Sequence, residues 1–291
     1  MAATNNQPLV SIYMPVYNAQ DYVEEAIKSI IDQTYQNWEM VIFNDGSTDT
    51  SLSIIEWMAA KDKRIRVINS HRNLGLAGMN KAVAQCRGQF VAKMDADDLS
   101  INTRIEKQVE FLKNNPQVVA VGGQCKVIDQ NGKMIGVKRF PTDPKETKKM
   151  MWTNMPIQHP SVMFNRSLLP KDFGWYENNG ELVIDDVHFF FGLFQYGDIA
   201  NLDRFVLKYR MHGANMSFKY PKKTFFLTLR ARIAAIRRYR MYPSFKAVMI
   251  NLVQLGVMLV LPSKAVLRLY YRMKKIKPTF SKSNSYFLKR A

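Results

Sequence analysis

The stretch Val10–Asp49 reads VSIYMPVYNAQDYVEEAIKSIIDQTYQNWEMVIFNDGSTD. It opens with a short β-rich run, Leu9–Met14, that stops at Pro15. Between Asp21 and Thr34, Tyr22, Ala26, Ile27, Ile30 and Ile31 recur at helical spacing. Glu39–Phe43 is again a compact apolar run. Strand, helix, strand within forty residues predicts a βαβ crossover and therefore a parallel sheet.

Further along, the pattern repeats. Asp49 is placed to cap a helix over Thr50–Ala60. Ile65–Ile68 reads as a strand, Gly75–Cys86 as a helix and Phe90–Met94 as a fourth strand. The expected fold class is α/β, a mostly parallel Rossmann-like sheet flanked by helices. Ligands in such sheets bind beyond the carboxyl ends of the strands. That rule singles out three loops: Pro15–Asn18, Asn44–Asp49 and Asp95–Leu99. Downstream, Thr103–Lys113 and Lys145–Trp152 read as helices. Val118–Gly122, Ser161–Phe164 and Phe205–Tyr209 read as strands, and Asn131-Gly132 as a turn.

Each loop carries residues with chemistry. Asp95-Ala96-Asp97-Asp98 puts three carboxylates in four residues, which repel unless a cation or solvent relieves them. Asp95 and Asp97 can converge on one hard divalent cation, Mn2+ or Mg2+, able to neutralise a diphosphate leaving group. The competing reading is a solvated turn with Asp98 capping the next helix. Asp45 is a hydrogen-bond acceptor for a base or ribose, or simply part of a turn made by Gly46. Tyr17 offers a ring for a nucleobase, or a structural aromatic. At Asn73-Leu74-Gly75 a helix begins, and its free N–H groups suit an anion.

Together, VSIYMPVYNAQDYVEEAIKSIIDQTYQNWEMVIFNDGSTD, NLGLAGMNKA and KMDADD resemble the inverting family 2 glycosyltransferases, which have the GT-A fold, of the bacterial polysaccharide and glycan-assembly type. The resemblance runs from about Pro8 to Ser217. It implies a nucleotide-sugar donor, a UDP-sugar, and a glycan or lipid-linked glycan acceptor. It implies Pro15, Tyr17, Asn44, Asp45, Asn73, Gly75 and Ala96 around the nucleotide, Asp95 by the ribose or metal, and Asp97 on the metal. In ELVIDDVHFFFGL it implies Asp186 as the base that deprotonates the acceptor, with Asp185 in support. Two adjacent carboxylates raise each other's pKa, which suits a base; the alternative is a helix cap. QHPSVMF, residues 158–164, resembles the family's acceptor-side strand, with His159 and His188 read as structural. YRMHGANMS, residues 209–217, resembles its closing motif, with His212 near the metal and Arg210 facing phosphate. Three positions depart from the pattern: Asn44 for Asp, Met79 for Arg, and Gly192 for Arg. A sugar nucleotidyltransferase would instead carry a Gly-rich basic loop after its first strand, where this chain has Pro15-Val16-Tyr17-Asn18. A catalytically inactive membrane-associated binding protein is the other alternative, and intact Asp97 and Asp186 speak against it.

Composition separates a tail from this body. Hydrophobic residues make up 47% and charged residues 23%, the balance of a globular chain. The net charge is +18, yet residues 204–291 hold 21 Lys or Arg and no Asp or Glu, leaving the rest at −3. Leu229–Arg240 reads as a basic amphipathic helix with Leu229, Ile233 and Ile236 on one face. Ala247–Leu261 is apolar but interrupted by Asn251, Gln254 and Gly256. Its 15 residues fall short of the roughly 20 that span a bilayer. It is expected to lie in the interface or to pack as a core helix. Leu267–Lys277 adds a basic, Tyr-rich segment. The expected division is residues 1–100 for the nucleotide-sugar half, 101–218 for the acceptor and catalytic half, and 219–291 for a basic helical tail that docks on an anionic membrane surface. No nucleic-acid module is visible. Cys86 and Cys125 form no CxxC pair, and no leader is visible in Met1–Pro8. The expected setting is therefore cytoplasmic, peripheral on the inner face of the cell membrane.

Overall fold

The computed structural model describes residues 7–176, 185–212 and 220–276. Residues 1–6, residues 177–184 including ELVI of the ELVIDDVHFFFGL segment, residues 213–219 including the end of the closing motif, and the tail from Lys277 onward lie outside the described residues.

The first half folds as the hydrophobic pattern predicts. β1 (Val10–Val16), α1 (Val23–Ile31), β2 (Trp38–Asp45), α2 (Ser51–Lys61), β3 (Ile65–Ser70), α3 (Leu76–Ala84) and β4 (Phe90–Lys93) follow one another as crossover units. β1 and β2 are buried almost throughout, because helices cover both faces of a parallel sheet. In α1, Val23, Ala26, Ile27 and Ile30 face the core at the i, i+3, i+4, i+7 spacing. Then come β5 (Leu99–Ser100), α4 (Arg104–Asn114), β6 (Val118–Ile128), β7 (Met134–Lys138), α5 (Pro144–Met150), β8 (Met163–Asn165), α6 (Asp185–Leu193) and β9 (Asp198–Arg210). Nine strands form one sheet in the order β3-β2-β1-β4-β8-β6-β9-β5, with β7 on β6. β3, β2, β1 and β4 are parallel, as are β6 and β9, while β8 runs antiparallel between β4 and β6. The expected halves 1–100 and 101–218 thus share one sheet.

Register decides where the site lies. Val10 stands opposite both Trp38 and Phe90, so β1, β2 and β4 run in step. Their carboxyl ends deliver Tyr17, Asp45 and Asp95 to the same edge. The first two loops are laced together there. Asn18 N donates to Ser47 Oγ at 3.0 Å, Thr48 N donates to Asn18 Oδ1 at 2.8 Å, and Ala19 N donates to Ser51 Oγ at 2.8 Å. Asp49 accepts from Ser51 N at 2.9 Å and from Gln20 N at 3.1 Å, so it serves the first turn of α2 and the neighbouring loop at once. Gly46 sits at φ +71°, and a Cβ there would lie 2.6 Å from the Arg72 carbonyl carbon, so only glycine fits this turn.

At the opposite end of the sheet, buried Glu39 is a junction. It accepts from Ser11 Oγ at 2.6 Å, from Arg87 N at 2.8 Å and Arg87 Nη2 at 2.6 Å, and from Arg66 Nη2 at 3.1 Å. Burial pushes its carboxyl up, but the hydrogen bonds from Arg87 and Ser11 outweigh that and hold it below the usual value. A depressed carboxylate stabilises the fold above its unfolded pKa, about 4.3, and loses that contribution as pH falls through the folded value. Glu39→Gln is expected to lower stability by about 2 kcal/mol at neutral pH. Urea melts at pH 7 and pH 3 should show this gap closing in acid; an unchanged gap would overturn the assignment.

The tail helices are α7 (Pro221–Tyr239), α8 (Phe245–Val260) and α9 (Ser263–Met273). α7 is longer than the expected Leu229–Arg240, and its inward face is different. Leu227, Ala231 and Ala235 are buried in the same cluster as Phe190 and Phe191, whereas Ile233 is exposed. The small Ala231 and Ala235 let α7 lie close against α6, which rotates Ile233 outward. Arg232 turns inward as well, its Nε donating to Met151 O at 3.2 Å.

Candidate active site

The acidic loop follows β4 directly. Carboxylate oxygens of Asp95, Asp97 and Asp98 all lie within 4.8 Å of one another. Ala96 is the buried spacer. Asp98, expected at most to cap a helix, is fully buried and caps nothing. It accepts from Arg210 N at 2.7 Å, and its Oδ2 has no hydrogen-bond partner among the described residues. Burial first, then the charges of Asp97 and Asp95, push its carboxyl well above the usual carboxylate range. An orphaned buried oxygen beside two more carboxylates is the donor set of a hard cation. These residues fit a divalent metal.

Two cations sit under the loop that sequence reasoning did not assign. Lys93, buried at the end of β4, pairs with Asp95. Arg104 is buried on α4, donating to Lys93 O at 2.8 Å and to Gln108 Oε1 at 3.0 Å. Burial pulls its guanidinium down to about 10, which leaves it charged at neutral pH. Both residues were visible: Lys93 stands two residues before Asp95, and Arg104 opens the helix after the loop.

His212 meets the triad, with Nε2 2.8 Å from Asp97 Oδ2 and its ring stacked on Tyr22. Arg210 corrects an expectation. Its guanidinium does not face an open phosphate site. Nε donates to Asp97 O at 2.8 Å, Nη1 to Gln130 O at 3.1 Å and Nη2 to Glu25 Oε2 at 2.8 Å. With its backbone N on Asp98, Arg210 is a strut that shapes the acidic loop.

The nucleotide-side residues divide in the same way. Tyr17 is half exposed beyond β1, with its ring available for stacking. Pro15 is in β1, paired in register with Phe43. Asp45, expected to face a base or ribose, is buried and spans to α3, accepting from Leu74 N at 2.6 Å and Gly75 N at 2.8 Å. Gly75 N also contacts Asn73 Oδ1 at 3.1 Å. The anion at the start of α3 is therefore the protein's own carboxylate, which takes the N–H groups of Leu74 and Gly75. Asn44 Nδ2 donates to Asn69 Oδ1 at 2.7 Å.

Asp186 stands in the first turn of α6. Asp185 opens the same helix, and its side chain lies outside the described residues. Asp186 is 47% exposed and reaches His159 Nδ1 at 2.7 Å. His159, expected to be structural, is buried among Tyr176, Phe189 and Phe190. Its Nε2 is 3.0 Å from Tyr176 Oη, which in turn pairs with Tyr13 Oη on β1. Asn80 pins Tyr176 by a reciprocal pair, Nδ2 to Tyr176 O at 2.7 Å and Tyr176 N to Oδ1 at 3.0 Å. The expected raised pKa at Asp186 is corrected too. Desolvation pushes it up, but the charge and hydrogen bond of His159, with Lys93 beyond, outweigh that and hold the carboxyl below its ordinary value. Lys93 thus pairs with Asp95 and its charge also reaches Asp186. Gly192, where the resembled family often has Arg, leaves room for Tyr239, whose Oη would lie 3.2 Å from a Cβ there.

Comparison with known proteins identifies the family. The model for glycosyl transferase family 2 matches residues 11–173. A Haemophilus influenzae protein named an uncharacterized glycosyltransferase is 34% identical over 224 residues, 74% of this chain and 69% of that protein. Bacillus subtilis TuaG, named a putative teichuronic acid biosynthesis glycosyltransferase, is 42% identical over 110 residues, 38% of this chain and 44% of that one. The chain spans 60% and 58% of the length of two further relatives. Among solved structures, S. aureus TarS 1–349 in complex with UDP superposes with a TM-score of 0.64 at 20% identity, covering 88% of this chain and 73% of that one. The mannosyltransferase PcManGT from Pyrobaculum calidifontis, in complex with GDP-Man and Mn2+, does so at 0.61 and 17% identity, covering 98% and 79%. These likenesses show the GT-A fold. Given the family match over residues 11–173 and a relative 34% identical across 74% of this chain and 69% of its own length, the chain belongs to glycosyl transferase family 2 and is a glycosyltransferase.

Proposed function

We propose that the chain moves a sugar from a UDP-sugar to a hydroxyl of a glycan or lipid-linked glycan, inverting the anomeric centre in one displacement. The observation that carries this reading is that one buried cation, Lys93, pairs with Asp95 of the Asp95–Asp97–Asp98 triad and also acts on the carboxylate of the Asp186–His159 pair. A single in-line displacement needs one carboxylate facing the acceptor and charge neutralisation behind the leaving group. Tyr17 stacks on the base. Asp97, Asp95 and Asp98, with His212 beside them, hold the divalent metal, which when bound supplies positive charge to the diphosphate. Asp45 and Asn44 keep the nucleotide-side loops in place. Asp186 takes the acceptor proton. His159 donates Nδ1–H to it, fixing its orientation and its ionised state, and the Tyr176–Tyr13 pair fixes His159 in turn. The UDP complex of TarS and the TuaG relative support a UDP-sugar and polysaccharide assembly.

A thermal-shift screen with UDP-, GDP- and CDP-sugars, with and without Mn2+ or Mg2+, tests the donor. A UDP-sugar at a hundred times its Kd stabilises by about 2.7 kcal/mol, a rise of roughly 4–5 °C for a chain of this size. The rise should require metal. A shift only with GDP-sugars would move the donor to that class. Pyrophosphate exchange into the UDP-sugar would replace transfer by nucleotidyl chemistry.

A further inference from the structure

α8 is turned inside out relative to an ordinary surface helix. Its polar residues face the protein, with Asn251 Oδ1 accepting from Arg232 Nη1 at 2.8 Å and Asn251 Nδ2 donating to Trp152 O at 2.7 Å. One turn on, Gln254 Nε2 donates to Thr153 O at 3.3 Å. These bonds fix the helix's rotation. The opposite side carries Phe245, Met249, Leu252, Val253 and Val260 at i, i+4, i+7, i+8 and i+15, a single stripe along the helix. They point outward, Phe245 82%, Val253 65% and Val260 81% exposed. Tyr242, just before the helix, and Met273, at the end of α9, are exposed as well. An outward apolar stripe of this length marks an interaction surface.

We infer that this ridge lies in the headgroup and acyl boundary of a bilayer leaflet rich in anionic phospholipid. Charge selects the occupant. Residues 220–276 carry 13 Lys or Arg and no Asp or Glu. A second copy brought onto the ridge would set these cations against one another, whereas an anionic leaflet offers a counter-charge together with an apolar layer. The helix lies on the membrane rather than across it. Its 16 residues extend about 24 Å, less than the roughly 30 Å hydrocarbon core, and among the described residues no helix is long and apolar enough to cross. This differs from a membrane contact through the basic face of α7 alone. The apolar ridge of α8 inserts, and the surrounding Lys and Arg draw it to the surface.

Flotation of the full chain with vesicles of phosphatidylcholine containing 30% phosphatidylglycerol tests this. Binding is expected, about tenfold or more above that to pure phosphatidylcholine, and only partly reversed by 0.5 M salt. Leu252→Asp with Val253→Asp should weaken binding at least tenfold while leaving the melting temperature and the donor-induced thermal shift unchanged, because both side chains are exposed. If that pair unfolds the helix, Phe245→Ser with Val260→Ser gives the same readout from its two ends. Flotation of either folded variant at the wild-type level overturns the inference, as does failure of the full chain to bind anionic vesicles. A dimer in light scattering that these substitutions dissociate, and that vesicles do not displace, would assign the ridge to a second copy.

Discussion

Asp186→Asn is expected to lower kcat by roughly 10²–10⁴-fold, the usual contribution of a positioned general base. The amide keeps the size of the side chain and an acceptor oxygen for His159 Nδ1–H, so folding should survive. What disappears is the capacity to take a proton from the acceptor. Since His159 holds the carboxyl below its ordinary value, Asp186 is ionised across the neutral range. The acid limb that Asp186 contributes to the kcat/KM profile should therefore lie below the ordinary aspartate value. His159→Gln removes the attraction and leaves the desolvation, so the limb should move to higher pH while the variant keeps residual activity. Stopped or coupled assays of UDP release across pH 3–8 read both effects. An acid limb that stays put in His159→Gln would dismiss the pairing as a functional device. Wild-type turnover in Asp186→Asn would move the base elsewhere.

Removing a ligand of the acidic triad should cost nearly as much. Asp97→Ala is expected to lower kcat/KM by about 10²–10³-fold, since a lost Lewis acid forfeits several kcal/mol of charge stabilisation and each 1.36 kcal/mol is a factor of ten. Asp97 is the right ligand to remove because its side chain is partly exposed and its side-chain partner is His212. Asp98 is a poorer choice. It also bonds Arg210 N, so its loss would disturb β9 as well as the metal. Chelation with EDTA should abolish wild-type transfer, and Mn2+ should restore it. The same titration should leave Asp97→Ala near its depressed rate. EDTA-resistant transfer by the wild type would rule out metal dependence and return the triad to a structural role secured by Lys93 and Arg104.

Much of this site is legible in the sequence because parallel strands leave an unambiguous signal. Apolar runs such as Val10–Val16 and Trp38–Asp45 end at Tyr17 and Asp45, and topology alone brings those ends together. The acidic loop reads equally well, since three carboxylates in four residues have few structural uses. What periodicity does not carry is which hydrogen bonds a polar residue has already made. Asp45 and Arg210 look like ligand contacts until Leu74 N, Gly75 N, Asp97 O, Gln130 O and Glu25 are found around them. His159 is hidden for the opposite reason. Its partner Asp186 is 27 residues away, and a histidine before Pro160 looks structural until the fold folds back on itself. In the tail, hydropathy shows that Ala247–Leu261 is apolar, but which side faces the protein rests on Arg232, Trp152 and Thr153, all distant in sequence.

The common register of β1, β2 and β4 has an evolutionary consequence. Because Val10 lines up with both Trp38 and Phe90, the three loops rise from one edge of a shared frame. Residues within a loop can then be exchanged, or the loop lengthened, without disturbing its neighbours' footing. Diversification is confined to the rim. A chain built this way can acquire a new donor or acceptor preference in small steps, each one leaving the sheet, and so the ability to fold, untouched.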